Sequence, residues 1–437
     1  MIIESPVFFI KKSSKIGVSC FFILLFFGVT LTKVFSQTSP DILNLSLKDL
    51  DKIFLDKNLA LLVSKANIDI NRAYKSQALL WDNPQISTEI GSINILQPNY
   101  GDAGFQQIYG QVSQLIKLAK KRQKLADISE FTAQLSEAQF YDLMRSLKHQ
   151  VHADFYDLSA VETKLKWYSA QIGIFNKIID ANRTQFKAGN VAEKDVIRLL
   201  AQRVQLQHDS AELNRSRIAL NTDLKTLLAS KNEIEVKPQL PQINLNTSDI
   251  VLADLITYAI ANRPDNKAAA LNTRVQEKNL VYQKSLAVPD LTLGLSFSRT
   301  GSYINNYLGV QAGIPLPILN KNQFNIKAAE YSIKQQEAQQ ESVAVLVSSD
   351  VVNAYRRLLD LQRWKNSEAA QAYADYEKFY NQNVVTSFEK RLMTLIEFID
   401  YFQTYQQNKF QTIDNDLQTI QAAETLEFVV GKEIFNK

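Results

Sequence analysis

The chain has 437 residues, with 49 Lys and Arg against 45 Asp and Glu, three histidines and a single cysteine. So near a balance leaves no basic excess for nucleic acid to exploit. One thiol excludes a disulfide framework and a thiolate metal cluster.

Lys11, Lys12 and Lys15 precede an apolar run over residues 16–31, and Val34-Phe35-Ser36 offers residues that a signal peptidase tolerates. Residues 1–36 therefore read as a signal peptide cleaved before Gln37. The run is short for a retained anchor, which needs roughly 20 residues. Cys20 lies at the start of that run, where a lipid-attachment cysteine would lie at its end. Without the leader, 45 basic face 44 acidic residues. No later stretch is long and apolar enough for a transmembrane helix, so any membrane part must be strands in a closed barrel.

The rest repeats one plan at an offset of about 200 residues, with a first copy over 37–229, a connector over 230–248 and a second copy over 249–437. Residues 37–45 and the last few are expected to be extended or loose. Amphipathic helices are expected over 47–80 and 250–286, ending before Pro84 and Pro289, whose predecessors avoid helical backbone. Beyond Pro84, Ile86, Thr88 and Ile90 alternate with Ser87 and Glu89. Beyond Pro289, Leu291, Leu293, Leu295 and Phe297 alternate with Thr292, Gly294, Ser296 and Ser298. This period of two predicts strands near 85–95 and 290–299. Turns over 98–102 and 301–306 return the chain into strands near 105–116 and 305–316. Four strands cannot close a barrel, and an open edge cannot face lipid. A membrane location therefore requires several chains to pool their strands, and three would supply about twelve.

Long helices follow each strand pair. Residues 119–183 hold no proline and one glycine, and 325–382 hold neither. Some 60 residues make a rod of roughly 90 Å. Ala344, Val347, Val351, Ala354, Leu358 and Leu361 alternate spacings of three and four, a coiled-coil seam. Returning helices are expected over 192–228 and 394–428. The first carries Leu199, Leu206, Leu213, Leu220 and Leu227 as one heptad stripe, and Ile197, Val204, Ala211 and Ile218 as another. Two positions are about 200° around a helix, so the stripes lie on nearly opposite flanks, as they would on a helix with a neighbour on either side. An ordinary bundle helix is the alternative.

Several motifs then point to a family. Arg263-Pro264-Asp265 opens the second half, Val288-Pro289-Asp290-Leu291-Thr292-Leu293-Gly294 enters the strands, and Gly313-Ile314-Pro315-Leu316-Pro317-Ile318 leaves them. The hairpin turns add Phe186-Lys187-Ala188-Gly189-Asn190-Val191 and Ser387-Phe388-Glu389-Lys390-Arg391. Over nearly the whole mature chain the sequence resembles the TolC family of outer-membrane efflux proteins, with Ser387 to Asp400 most like the heavy-metal branch. The resemblance implies a mainly α protein with a small β part. It implies a homotrimer forming a twelve-stranded outer-membrane barrel continued by a twelve-helix periplasmic α-barrel. The implied partners are outer-membrane lipid, a periplasmic adaptor and an inner-membrane pump of the resistance-nodulation-division type. Its implied work is the passive exit duct of a tripartite efflux system, with heavy-metal cations as one cargo.

No catalytic constellation is present: there is no phosphate loop, no Gly-x-Ser-x-Gly and no His-Glu-x-x-His, so neither an enzyme nor a cofactor is expected. Of the three histidines, His149 and His152, at i and i+3, have metal-ligand spacing but no third ligand nearby, and are expected to be solvated helix-face residues. The sharper candidates are acidic. Phe186 to Asp195 and Phe388 to Glu397 superpose at an offset of 202, which sets Asp195 opposite Glu397. Glu397 and Asp400 share a helix face. In relatives, acids at these positions ring the periplasmic entrance, and an aspartate at the place of Asp195 helps to latch it. Helix-dipole carboxylates are the plainer alternative. The arginine that relatives use as latch partner is Met393 here, with Arg391 nearby. Gly189, Asn190, Val191, Leu392 and Met393 at the tips are the candidates for adaptor docking. The rival functions are drug efflux or type I secretion through the same fold and, in a different class, a periplasmic coiled-coil adaptor or scaffold.

Overall fold

The computed structural model describes residues 41–91, 107–240, 245–247, 250–300 and 304–435. The expected signal peptide, the turn over 98–102 and residues 301–303 of the second turn lie outside the described residues, as do 241–244 and 248 of the connector, while 304–306, expected as turn, already belong to a strand. The protein is mainly helical with two small sheets. Strand β1 (Asp41–Ser46) leads into α1 (Leu47–Lys57) and α2 (Leu59–Ala78), then β2 (Gln85–Gly91) and β3 (Gln107–Ile116). Helices α3 (Lys121–Lys187) and α4 (Glu193–Leu227) follow, then β4 (Ile234–Gln239). Next come α5 (Leu252–Asn262), α6 (Pro264–Leu286), β5 (Leu291–Thr300) and β6 (Ile304–Gly313). The chain closes with α7 (Gln323–Lys365), α8 (Glu368–Phe379), a π-helical turn (Tyr380–Val384), α9 (Val385–Glu389) and α10 (Leu395–Val430).

Each opening helix expected from sequence is in fact two. The first breaks at Asn58, whose backbone turns extended while its side chain accepts from Leu61 N at 3.1 Å and donates to Leu227 O at 2.8 Å. The second breaks at Arg263, held extended by the following Pro264, the first residue of α6. Both breaks let a continuous amphipathic segment bend around the long helices.

The connector is more than a loop. Its β4 pairs with β1 in a two-stranded sheet, so of the two alternatives for the start of the chain Asp41–Ser46 takes the extended one, as a strand. Val236 is fully buried there, and its N–H donates to Asn221 Oδ1 at 2.7 Å. The last strand stops at Gly313 and not at 316, because Pro315 and Pro317 cannot donate to a ladder.

The two rods differ. Helix α3 runs 67 residues without interruption, about 100 Å at 1.5 Å per residue. The second rod, expected to be continuous, breaks at Asn366-Ser367. Ser367 Oγ bonds Trp364 O at 2.6 Å and caps the next helix by accepting from Ala370 N, a local bond that competes with helix continuation. Beyond it the π turn sets the ring of Tyr380 flat on Tyr405, with centroids 4.2 Å apart.

The core has three centres. One joins Leu50, Phe54, Val151, Phe155 and Leu224 beneath the small sheet. Another packs Val347, Val351, Ala354 and Leu358, the expected coiled-coil seam, against Leu426 and Val430 of α10. The third is aromatic, with Trp167, Phe175, Tyr380, Phe398, Phe402 and Tyr405 tying the two helical hairpins together.

The expectation of solvated helix-face histidines fails at His149 and His152. His152 is 5% exposed, with Nε2 2.7 Å from Asp51 Oδ1 and Nδ1 3.0 Å from Glu424 Oε2. It thus clasps α1 and α10 onto α3. His149 lies one turn earlier, stacked on Phe428 at 4.4 Å, and burial lowers its pKa. Burial alone would lower His152 as well, but its bonds and charge contacts with the two carboxylates raise it. Asp51 is lowered because His152 and Lys148 outweigh its own burial. A raised imidazolium contributes stability fully below the unfolded pKa of about 6.5, and that contribution disappears as pH rises through the folded value. Thermal midpoints are therefore expected to fall as pH rises above about 6.5, and His152→Gln is expected to flatten that alkaline limb. An unchanged profile in the variant would remove His152 as its source.

Candidate functional site

The four-stranded sheet runs β2-β3-β5-β6, with every neighbouring pair antiparallel. The two hairpins therefore join through β3 and β5, where Val112 faces Leu295 and Gly110 faces Phe297. Cross-strand partners share a face. One face carries Ile86, Ile90, Ile108, Val112, Leu293, Leu295, Phe297, Leu308 and Val310, with Thr88, Gly110 and Gln114 between them and Arg299 opposite Ile108 near one end. The other carries Ser87, Glu89, Tyr109, Gln111, Thr292, Ser296, Tyr307 and Gln311. On the polar face Gln111 Nε2 donates to Gln311 Oε1 at 2.6 Å, and Tyr109 OH donates to Gln111 at 2.8 Å.

Among the described residues nothing covers the apolar face. Ile86 is 76% exposed, Leu295 64%, Leu308 79% and Val310 83%. An uncovered patch of this kind marks a surface meant for something other than water. Among the described residues, β2 and β6 pair on one side only, so each edge offers a free row of backbone donors and acceptors. These outer strands run in opposite directions, so β6 of one copy and β2 of another would also meet antiparallel.

Helix α4 repeats this imbalance. Leu199 and Leu206 are fully buried against the hairpin core, while Ile197, Val204 and Ile218 of the second stripe are each more than half exposed. One of the two expected neighbours is thus present within the chain.

Both hairpin tips use one turn. Gly189 (φ +78°) and Arg391 (φ 61°) occupy the left-handed position, each closed by a bond back to Phe186 O or Phe388 O. Glycine adopts that conformation freely, whereas arginine is strained there. Gln185 Oε1 accepts from Asn190 Nδ2 at 3.0 Å and from Arg391 Nη2 at 2.6 Å, so the two tips converge on one side chain. Gln185 was not among the sequence candidates, since nothing local to it signals a partner 206 residues away. Arg391 meets Gln185 and not Asp195. The Asp195 carboxylate has no hydrogen bond or ion pair among the described residues, and it lies in the first turn of α4.

Glu397 forms a capping box, its carboxylate accepting from Thr394 N at 2.8 Å and Thr394 Oγ1 at 2.7 Å. These bonds, the backbone one first, hold its pKa below the ordinary value. Asp400 is exposed one turn further on. Leu392 and Ile396 are exposed apolar residues at the same tip, with Val191 and Met393 half-buried. No described helix is long and apolar enough to cross a membrane, and no cluster of three metal-ligating side chains occurs among the described residues.

Comparison with known proteins agrees with this architecture. Residues 255–432 match the family described as outer membrane efflux protein. The cobalt-zinc-cadmium resistance protein CzcC of Cupriavidus metallidurans is 21% identical over 323 residues, 72% of this chain and 75% of that one. Toxin and drug export protein A of Aggregatibacter actinomycetemcomitans is 23% identical over 380 residues, 82% and 81% of the two chains. Among solved structures, the Campylobacter jejuni CmeC outer membrane channel superposes with a TM-score of 0.74 at 14% identity, covering 89% of this chain and 86% of that one. CusC superposes with a TM-score of 0.73 at 15% identity, covering 90% and 94%. Both of these solved structures are of membrane channels. With its two-faced sheet and paired helical hairpins, the chain is similar to the outer membrane efflux protein family, whose model matches residues 255–432 of its second half.

Proposed function

We propose that three copies of this chain form the outer-membrane exit duct of a tripartite efflux system. The observation that carries the reading is the sheet, with its uncovered apolar face and two free edges of opposite direction. Three sheets joined edge to edge make a barrel of about twelve antiparallel strands, an ordinary size for this membrane. The apolar face meets lipid and the polar face lines the lumen. The exposed Ile197, Val204 and Ile218 stripe then packs on a neighbouring protomer, and the helical hairpins continue the duct into the periplasm.

In this reading the tips dock a periplasmic adaptor through Gly189, Asn190, Val191, Leu392 and Met393, and an inner-membrane pump of the resistance-nodulation-division type drives the flow. Heavy-metal cations are the proposed cargo, supported by the likeness to the cobalt-zinc-cadmium resistance protein CzcC. Drug or protein export is the second reading, supported by the likeness to toxin and drug export protein A. A deletion strain grown on copper, zinc and cobalt salts and on a drug panel separates them. Sensitivity to metals alone is expected, and sensitivity to drugs alone would overturn the metal reading.

Glu397 and Asp400, repeated in three chains, place six carboxylates around a narrow mouth and favour cations. In planar bilayers, Glu397→Ala with Asp400→Ala is expected to weaken cation selectivity and block by multivalent cations. Unchanged reversal potentials and block would leave Glu397 as a helix cap only.

A further inference from the structure

Where β3 passes into α3, a cleft of about 470 Å³ is lined by Leu79, Lys117, Lys120, Arg122 and Gln123. Three cations and no carboxylate line it. The acid beside it, Asp82, is answered by Lys117 Nζ at 2.9 Å. The Lys120 ammonium has no partner among the described residues. Arg122 sits over the ring of Trp81, with Cζ 3.6 Å from the centroid, and spends one donor on Leu79 O at 3.1 Å. Most of its five N–H groups stay available in a held plane, an arrangement suited to phosphate oxygens.

The surroundings narrow the ligand. Leu79 in the cleft and its chain neighbours Leu80, Trp81 and Leu118 are exposed, so apolar side chains accompany the cations. A free anion has no use for such flanks, but a lipid has both a phosphate and acyl chains. Tryptophan beside cations is the pattern of a membrane–water boundary. The equivalent junction in the second half, 202 residues on, has Leu319, Asn322 and Phe324 in place of Lys117, Lys120 and Arg122. The alignment holds structurally, because Lys120 and Asn322 are both left-handed residues capping their helices. Each chain thus has the cation set once.

We propose that this cleft binds the phosphate headgroup of an anionic glycerophospholipid from the leaflet nearest the helices, fixing the height of the sheet in the bilayer. The proposal rests on the membrane reading of the sheet. Zwitterionic lipids are disfavoured, because their own cation meets three positive charges with one carboxylate nearby.

The test uses the full-length assembly in detergent, examined by native mass spectrometry with phosphatidylglycerol and phosphatidylcholine of identical acyl chains. The wild type is expected to prefer phosphatidylglycerol by about fivefold or more. Lys120→Gln with Arg122→Gln is expected to lose that preference, while Lys124→Gln keeps it. If the double variant fails to assemble, Lys120→Asn removes one charge at a left-handed position that asparagine tolerates, and it should lower the preference. A wild type without preference, or variants that retain it, overturns the proposal. Release of the lipid by millimolar inorganic phosphate also overturns it, in favour of a free-phosphate site. Pore formation by the same preparation in planar bilayers is read alongside. Pores without lipid preference sink this proposal alone, whereas no membrane insertion at all sinks the membrane reading with it.

Discussion

Leu295→Arg is expected to abolish the heat-stable trimer in outer-membrane fractions while Gln311→Lys preserves it. Leu295 is central in β5 and points to the uncovered face, opposite Val112 and Val310. A cation on the lipid face of a barrel costs about 2–4 kcal/mol near the bilayer midplane. Each trimer carries the change three times, so the total is several-fold larger. Gln311 faces the other way, towards Gln111. In the proposed barrel a cation there would meet a polar lumen, and it is expected to alter conductance with assembly intact. Heat-modifiable mobility on gels reads both variants. Equal assembly of the two would mean that neither face meets lipid.

Val204→Glu with Ile218→Glu is expected to separate folding from assembly. Both side chains are more than half exposed in the isolated chain, so the substitution leaves its helical content and hairpin core unchanged. In a trimer these residues pack on a neighbour. Burying each large aliphatic side chain contributes about 1.5–3 kcal/mol, and an unpaired carboxylate in its place adds a desolvation cost. The expected product is a folded monomer by mass measured in detergent. Glutamates at Leu199 and Leu206 differ, because those side chains are fully buried within the chain, and folding itself is expected to fail. If Val204→Glu with Ile218→Glu remains trimeric, the second stripe is not the subunit contact.

These two contrasts come from periodicities that are local and therefore legible in sequence. Alternation around Leu291–Phe297 and the two heptads of the returning helix each need only a short window. The break at Arg263 was equally legible, since the following proline restricts it, yet the apolar period across 250–286 masks it. Other features depend on partners far along the chain. The β1–β4 pair joins segments almost two hundred residues apart, and His152 meets Asp51 and Glu424 at separations of 101 and 272. No spacing rule exposes such contacts. The break at Asn366-Ser367 has neither proline nor glycine to announce it and depends on Ser367 bonding its neighbours' backbone. At the tips, the doubled turn was readable, but the bond from Arg391 to Gln185 was not. It appears only once both hairpins stand side by side.

The central claim is that sheets from three chains close edge to edge. It is tested most directly by cysteine pairs on the polar face, Ser87→Cys on β2 combined in turn with Tyr307→Cys, Gln311→Cys or Gly313→Cys on β6, with Cys20 replaced by serine. These residues occupy the outer strands, which among the described residues have no partner of their own on one side. On mild oxidation in membranes, at least one pair is expected to give covalent dimers and trimers and nothing larger, each reduced to monomer by thiol. Monomers from every pair, or ladders extending past the trimer, would contradict closure.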